Sequence, residues 1–292
     1  MNSLKAEVQT LISTYCSVSK IRNVELFSKF LFNGYKMTTL NSVDEKYFNK
    51  VIMAKMHLGM IITLYDDLAD NPKFQDNELL KILYMLPFAD ENFKQELSSE
   101  QLRIYNLSRF LIAGLDDLLE GLPHYKKIKE FFLFDMEQVF SANKYSSLIT
   151  SMPEGASSYE SVRYGHFNMG IVAAGMIDLM GISKLKLTEL GTSRSAFHHA
   201  QRMGRISNLL ATLDRELEED DITNELFIQM YLSYDSDKHD RKSCEEKVMD
   251  EFYSLAKKLL KHKQAIASFC IETYNKGIKD LHDFHLDLKG TI

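Results

Sequence analysis

An apolar helical run that ends on three aspartates constrains this chain more than any other feature. Residues 64–71 read LYDDLADN. Upstream, Val51, Met53, Met56, Met60, Ile61 and Leu64 are distributed around a helix, so that helix is expected to be buried. Ser42, with Glu45 three positions later, has the form of a capping box. The helix is therefore expected from about 42 to 70. Residues three and four apart share a helix face, so Asp66 and Asp70 point one way and Asp67 lies beside Asp70. Ionised carboxylates are costly to bury unless they are paired or bind metal. Converging carboxylates suit a hard divalent cation such as Mg²⁺, which takes oxygen ligands and keeps several waters. The competing reading is a solvated helix end before the turn at Asn71-Pro72. Gly59, inside the run, costs about 1 kcal/mol relative to Ala. It either permits close packing or opens space near the aspartates.

The rest of the chain reads the same way. Only 13 Gly and 4 Pro in 292 residues argue for long helices rather than many strands. Helical spacing recurs over residues 1–40, interrupted at Asn33-Gly34, and then at about 76–86, 99–120, 125–146, 157–181, 187–218, 222–234 and 242–286. No composition shift marks a boundary, so one all-α domain over 1–292 is expected. A net charge of −6 argues against nucleic acid as a partner, because phosphate binding usually comes with a basic face. Cys16, Cys244 and Cys270 form neither a disulfide framework nor a zinc pattern. The first residues lack a basic region followed by an apolar core, so no signal peptide is expected. The greasiest stretch, 169–182, is interrupted by Asp178 and is too short to span a bilayer. A soluble, cytoplasmic protein is expected.

A second acidic stretch, 207–224, reads SNLLATLDRELEEDDITN. Asn208, Thr212 and Glu216 recur every four residues and form one stripe. Amide, hydroxyl and carboxylate oxygens make a hard, low-charge site suited to Mg²⁺. Arg215 beside them is a good phosphate donor, because its fork matches phosphate oxygens. Polar residues at this spacing also occur on many exposed helices. Arg163, in SYESVRYG, is either an exposed helix-end residue or a cation aimed at an anion held between the two clusters.

Taken together, these stretches resemble a class I terpene synthase. Asp66-Asp67-Leu68-Ala69-Asp70 is similar to the family's aspartate-rich DDxx(D/E) motif. Asn208, Thr212 and Glu216, about 140 residues later, are similar to its second metal motif, followed here by Asp220-Asp221 and Asn224. Arg163, about 45 residues before Asn208 and preceded by Pro153 and Tyr159, matches its diphosphate-sensing arginine. The resemblance implies an all-α bundle around a central cavity, three Mg²⁺ ions and a prenyl diphosphate substrate. Asp66, Asp67, Asp70, Asn208, Thr212 and Glu216 would be metal ligands, and Arg163 and Arg215 would bind diphosphate. It also implies a cation-shielding cavity. Met56, Met60, Phe132 and Phe167 are candidate walls, with Tyr47 or Phe48 and Phe131 as further aromatics. A homodimer is common in the family.

The chain departs from the family in three places. Leu209 stands where many members have Asp. His166-Phe167 follow the sensing arginine where a small polar residue and Gly are usual, leaving Gly165 or Gly170 to mark a helix break. No Arg-Tyr pair follows near position 288, where His285 or Lys289 are the available substitutes. A second cluster, Asp116-Asp117-Leu118-Leu119-Glu120, lies too near Arg163 and reads as a solvated helix end. The alternatives are a chain-elongating or head-to-head prenyl synthase, and a non-catalytic all-α interaction protein.

Overall fold

The computed structural model describes residues 2–71, 73–88, 96–219, 221–232 and 240–290. It is a helical bundle with no strand among those residues. Its helices are α1 (Asn2–Val18), α2 (Phe32–Thr38), α3 (Glu45–Asp70), α4 (Asn77–Leu83), α5 (Ser99–Glu120), α6 (Tyr125–Ser151), α7 (Ser158–Tyr164), α8 (Ile171–Met180), α9 (Leu190–Glu218), the short α10 (Glu225–Phe227), α11 (Arg241–Leu260) and α12 (Ile271–Asp287). The run 169–182 falls on α8, and no described helix is long and apolar enough to cross a membrane.

Helix α3 is the central rod, buried over most of its length from Val51 onward. It packs on α1, α2, α4, α5, α6 and α8. Helix α9 packs on α8, α11 and α12, so α8 joins the two long helices. The C-terminal ends of α3 and α9 carry the two acidic stretches.

Several boundaries differ from the sequence expectation. Helix α3 starts at Glu45 with Asp44 as its N-cap, and no side chain caps it. The Asp44 carboxylate instead accepts the Ser183 hydroxyl, a tertiary bond that replaces the expected Ser42–Glu45 box. Asn33-Gly34 does not break the second run. A π-helical stretch, Leu26–Leu31, continues directly into α2. A Cβ on Gly34 would sit 2.9 Å from Leu281 Cδ1, so α2 and α12 approach closely there.

The 242–286 pattern splits into α11, a 3-10 turn (Lys261–Gln264) and α12. Between them, the Ala267 and Ser268 N–H groups donate to the Glu189 carboxylate, and the Cys270 N–H to Asn41. Those long-range bonds take up donors that a continuous helix would use. The 157–181 pattern is interrupted by a 3-10 segment, Gly165–Met169, and by Gly170 at φ 61°. The 222–234 pattern gives α10 and a π-helical stretch, Ile228–Leu232, and its remainder lies outside the described residues. So do Pro72 of the expected turn and Asp220.

Candidate active site

One cavity of about 220 Å³ lies between α3 and α9, walled also by α2, α8 and α12. It is lined on α3 by Lys55, Gly59, Ile62, Thr63, Asp66 and Asp70. Those positions recur at three- and four-residue steps, so they form one face of that helix. The α9 face contributes Gly204, Arg205, Ser207, Asn208, Thr212, Arg215 and Glu216. Apolar walls come from Leu26, Phe30, Leu31, Ile171, Ile278 and Leu281, with Tyr35 and Tyr274 adding aromatic rings. Gly59 does both jobs considered for it. It borders the cavity, and a Cβ there would lie 2.3 Å from the Tyr35 hydroxyl.

The structure therefore brings Asp66, Asp70, Asn208, Thr212, Arg215 and Glu216 to one cavity, and adds Asp221. Asp67 is turned away. Its Oδ1 accepts Arg22 Nε at 2.6 Å, and its side chain is fully buried. A helix can aim only one of two adjacent carboxylates inward, and Asp66 takes that place. Asn168 Nδ2 lies 3.5 Å from Asp66 Oδ1. The Glu216 carboxylate accepts Asn224 Nδ2 at 2.6 Å, while Asn224 Oδ1 caps α10. Thr212 Oγ1 donates to the Asn208 backbone carbonyl at 2.7 Å, and Asn208 Oδ1 accepts Arg205 Nη1 at 3.1 Å.

Arg163 is not in the cavity. It lies exposed on α7, with its guanidinium 5.9 Å from the centre of the Tyr164 ring. Two arginines that periodicity did not single out line the cavity instead, Arg22 and Arg205. Arg205 is three residues before Asn208 on the same stripe, so that stripe extended by one turn would have found it. Arg22 sits in the connection after α1, where no periodic pattern points. The buried Nε atoms of Arg205 and Arg215 have no partner.

The suggested walls are also displaced. Met56 and Met60 are fully buried on the faces of α3 that pack into the core, and Phe132 is core on α6. Phe167 is half-buried against the His166 ring, 4.3 Å between centres. Phe131 is exposed, and neither Tyr47 nor Phe48 borders the cavity. Of the substitutes for the Arg-Tyr pair, His285 reaches the cavity, whereas Lys289 pairs with Asp214 at 2.8 Å. Asp117 and Glu120 are exposed and Asp116 is half-buried, away from this site.

Burial dominates the electrostatics. It raises Asp66, and Glu216 pushes in the same direction against Arg22 and Arg205. Asp70 is raised well above the usual carboxylate range by burial, then by Asp66 and Asp221. Asp221 is pushed up to about 6 by burial and by Glu216. Asp67 is pushed up to about 7 by burial, which outweighs the Arg22 charge. Negative charge is thus concentrated at one place without enough countercharge. A hard cation relieves such a field, and carboxylate, amide and hydroxyl oxygens are the donors Mg²⁺ takes. Among the described residues, no three His, Cys, Asp or Glu side chains are gathered closely enough to hold a metal by themselves.

Farther along the cavity lies a second charged pair. Lys55 Nζ is 2.5 Å from Asp178 Oδ1, and each side chain is 1% exposed. Burial lowers Lys55 and raises Asp178 to about 6.

No protein-family model matches the chain, and no curated protein sequence matches it. Solved structures do. Isoprene synthase from grey poplar leaves (Populus x canescens), in complex with three Mg²⁺ ions and dimethylallyl-S-thiolodiphosphate, superposes with a TM-score of 0.70 at 13% identity. The match covers 97% of this chain and 53% of that one, so this chain spans about half the length of that synthase. A cucumene synthase superposes with a TM-score of 0.58 at 11% identity, covering 98% of this chain and 94% of that one. At such identities the likeness speaks for architecture, and the architecture of this chain is that of the class I terpene synthase-like helical bundle.

Proposed function

We propose that the chain is a Mg²⁺-dependent class I terpene synthase that ionises a linear prenyl diphosphate and cyclises the resulting carbocation. Farnesyl diphosphate is the first candidate substrate and geranylgeranyl diphosphate the second. The observation that carries this reading is the convergence of Asp66 and Asp70 from α3 with Asn208, Thr212 and Glu216 from α9 at one cavity. The isoprene synthase structure, held with three Mg²⁺ ions and a thiolodiphosphate, supports the same chemistry on this fold.

Asp66 and Asp70 would hold metal from one side, and Asn208, Thr212 and Glu216 from the other. Bound Mg²⁺ would supply Lewis-acid neutralisation of the leaving diphosphate oxygens. Arg22, Arg205 and Arg215 would bind those oxygens through charge-assisted hydrogen bonds. Arg163 is exposed on α7 and lies outside the cavity in this structure. Asn224 orients Glu216, and Asn168 orients Asp66. Leu26, Leu31, Ile62, Ile171 and Ile278 exclude water from the cation. The faces of Phe30, Tyr35 and Tyr274 would stabilise it by about 0.5–2 kcal/mol each.

The test is incubation of the purified protein with Mg²⁺ and, separately, geranyl, farnesyl and geranylgeranyl diphosphates, followed by extraction and gas chromatography–mass spectrometry. A cyclic or rearranged hydrocarbon or alcohol is expected from one of them. Asp66→Ala or Asn208→Ala should lower its formation by about 10²–10³-fold, as when a group stabilising developing charge is removed. Consumption of added isopentenyl diphosphate without a cyclic product would replace this reading with prenyl-chain elongation.

A further inference from the structure

Four walls of the cavity run out at one place. On α3 the lining residues end at Lys55, on α8 at Asp178, on α12 at Tyr274 and on α2 at Thr38. Lys55 precedes Asp66 by 11 residues, and Tyr274 precedes His285 by 11. Both helices therefore give a depth of about 16 Å, at about 1.5 Å per residue. Lys55 Nζ lies 2.5 Å from Asp178 Oδ1. Burial, and after it the Asp178 charge, raises the Tyr274 phenol, so that ring stands near the same point. One turn farther on, Val51 and Ile52 are fully buried and outside the cavity. There α3 and the end of α8 close on each other, since a Cβ on Gly181 would lie 2.9 Å from Val51 Cγ2.

The pair at this closed end is braced. Lys55 Nζ donates to Thr39 Oγ1 at 3.0 Å, and Asp178 Oδ2 accepts the Leu40 N–H at 3.2 Å. Both braces come from the segment between α2 and α3. An apolar side chain yields to a ligand by changing rotamer. Displacing one member of a buried ion pair strands the other charge without its partner, which costs far more. The pair is thus a floor that does not give.

We infer that the Lys55–Asp178 pair sets substrate length, admitting a fifteen-carbon prenyl chain and disfavouring a twenty-carbon one. An extended chain of C–C bonds near 1.5 Å advances about 1.25 Å per bond, so three isoprene units of four main-chain bonds reach about 15 Å and four units about 20 Å. With the diphosphate held at the carboxylate end, three units fill the depth. A fourth meets the floor and has to coil into space the other three already occupy. The inference rests on the ionisation reading above and selects farnesyl diphosphate within it.

The experiment measures kcat/KM for farnesyl and geranylgeranyl diphosphates by diphosphate release, in wild type and in Lys55→Ala/Asp178→Asn. That double variant removes both charges and the lysine stem, and its amide oxygen still accepts the Leu40 N–H. Folding is checked by circular dichroism. Wild type should favour the fifteen-carbon substrate by at least about tenfold, the scale at which a pocket rejects a chain too large for it. The variant should reduce that preference about tenfold. Weakened packing alone slows both substrates together and leaves their ratio unchanged. A wild type that takes the twenty-carbon substrate equally well, or a folded variant with the wild-type ratio, overturns the inference while leaving the ionisation reading intact. If the variant does not fold, Lys55→Leu/Asp178→Asn is read in the same way, and the wild-type ratio decides in either case. No diphosphate release by wild type from any prenyl diphosphate would overturn the ionisation reading, and this inference with it.

Discussion

Two neighbouring carboxylates, Asp66 and Asp67, face different worlds. Asp66 borders the cavity, and Asp67 is sealed against Arg22. The distinction follows from the 100° step between adjacent helix residues and from what each meets. A similar division of labour holds at Glu216, whose carboxylate is fixed by Asn224 across the turn after α9. Groups that orient a metal-binding carboxylate are worth about 10–100-fold in metal affinity or activity. Asn224→Leu should therefore raise the Mg²⁺ concentration needed for half-maximal diphosphate release by that factor, read from a Mg²⁺ titration. At this scale the sequence disclosed Asp66, Asp70, Asn208, Thr212, Arg215 and Glu216 as residues of one locality. It did not disclose Arg22, because a cation in a non-periodic connection has no pattern to mark it. Nor did it show that Arg163 lies outside the cavity, because motif spacing does not say which way a side chain leaves its helix.

Between α7 and α8 the chain must turn without leaving the bundle, and Gly170 makes that possible. It sits at φ 61°, and a Cβ there would lie 2.3 Å from Ile62 Cδ1 on the cavity wall. Gly170→Ala should cost about 1–2 kcal/mol from the left-handed conformation alone, more with the Ile62 clash. Chemical denaturation measures it. Another joint is built from charge. Arg202 on α9 forks onto Glu225 of α10 at 2.6 and 2.9 Å, and onto Glu251 of α11 at 2.8 Å. Glu225 is fully buried, so Arg202→Met would strand its charge and cost about 3–5 kcal/mol, visible as a lowered unfolding midpoint. That joint anchors the segment carrying Asp221 and Asn224. The sequence located most helices within a few residues through apolar spacing. It could not locate the ends set by distant partners: the Asp44–Ser183 contact, and the Glu189 clamp that breaks the 242–286 pattern.

At the scale of the whole molecule, the proposed metal site predicts a pH-dependent response to Mg²⁺. Asp66, Asp70 and Asp221 all hold protons more tightly than free carboxylates. Metal binding must displace those protons, so it strengthens as pH rises through the raised values. Mg²⁺ with inorganic diphosphate should therefore raise the thermal midpoint more at about pH 7.5 than at about pH 5. At 100 times the dissociation constant the gain is about 2.7 kcal/mol. Equal shifts at both pH values, read by differential scanning calorimetry, would count against these carboxylates as ligands. By itself the sequence determined the all-α class and the two oxygen-rich helix ends, because periodicity and local spacing are properties of short stretches. Only the tertiary structure decided which residues face the cavity. Helix α3 is apolar almost all round, so nothing in its own pattern fixes its rotation about its axis. Packing of α5, α6 and α8 fixes it, turning Met56 and Met60 into the core and presenting Lys55, Gly59, Ile62 and Asp66 to the cavity.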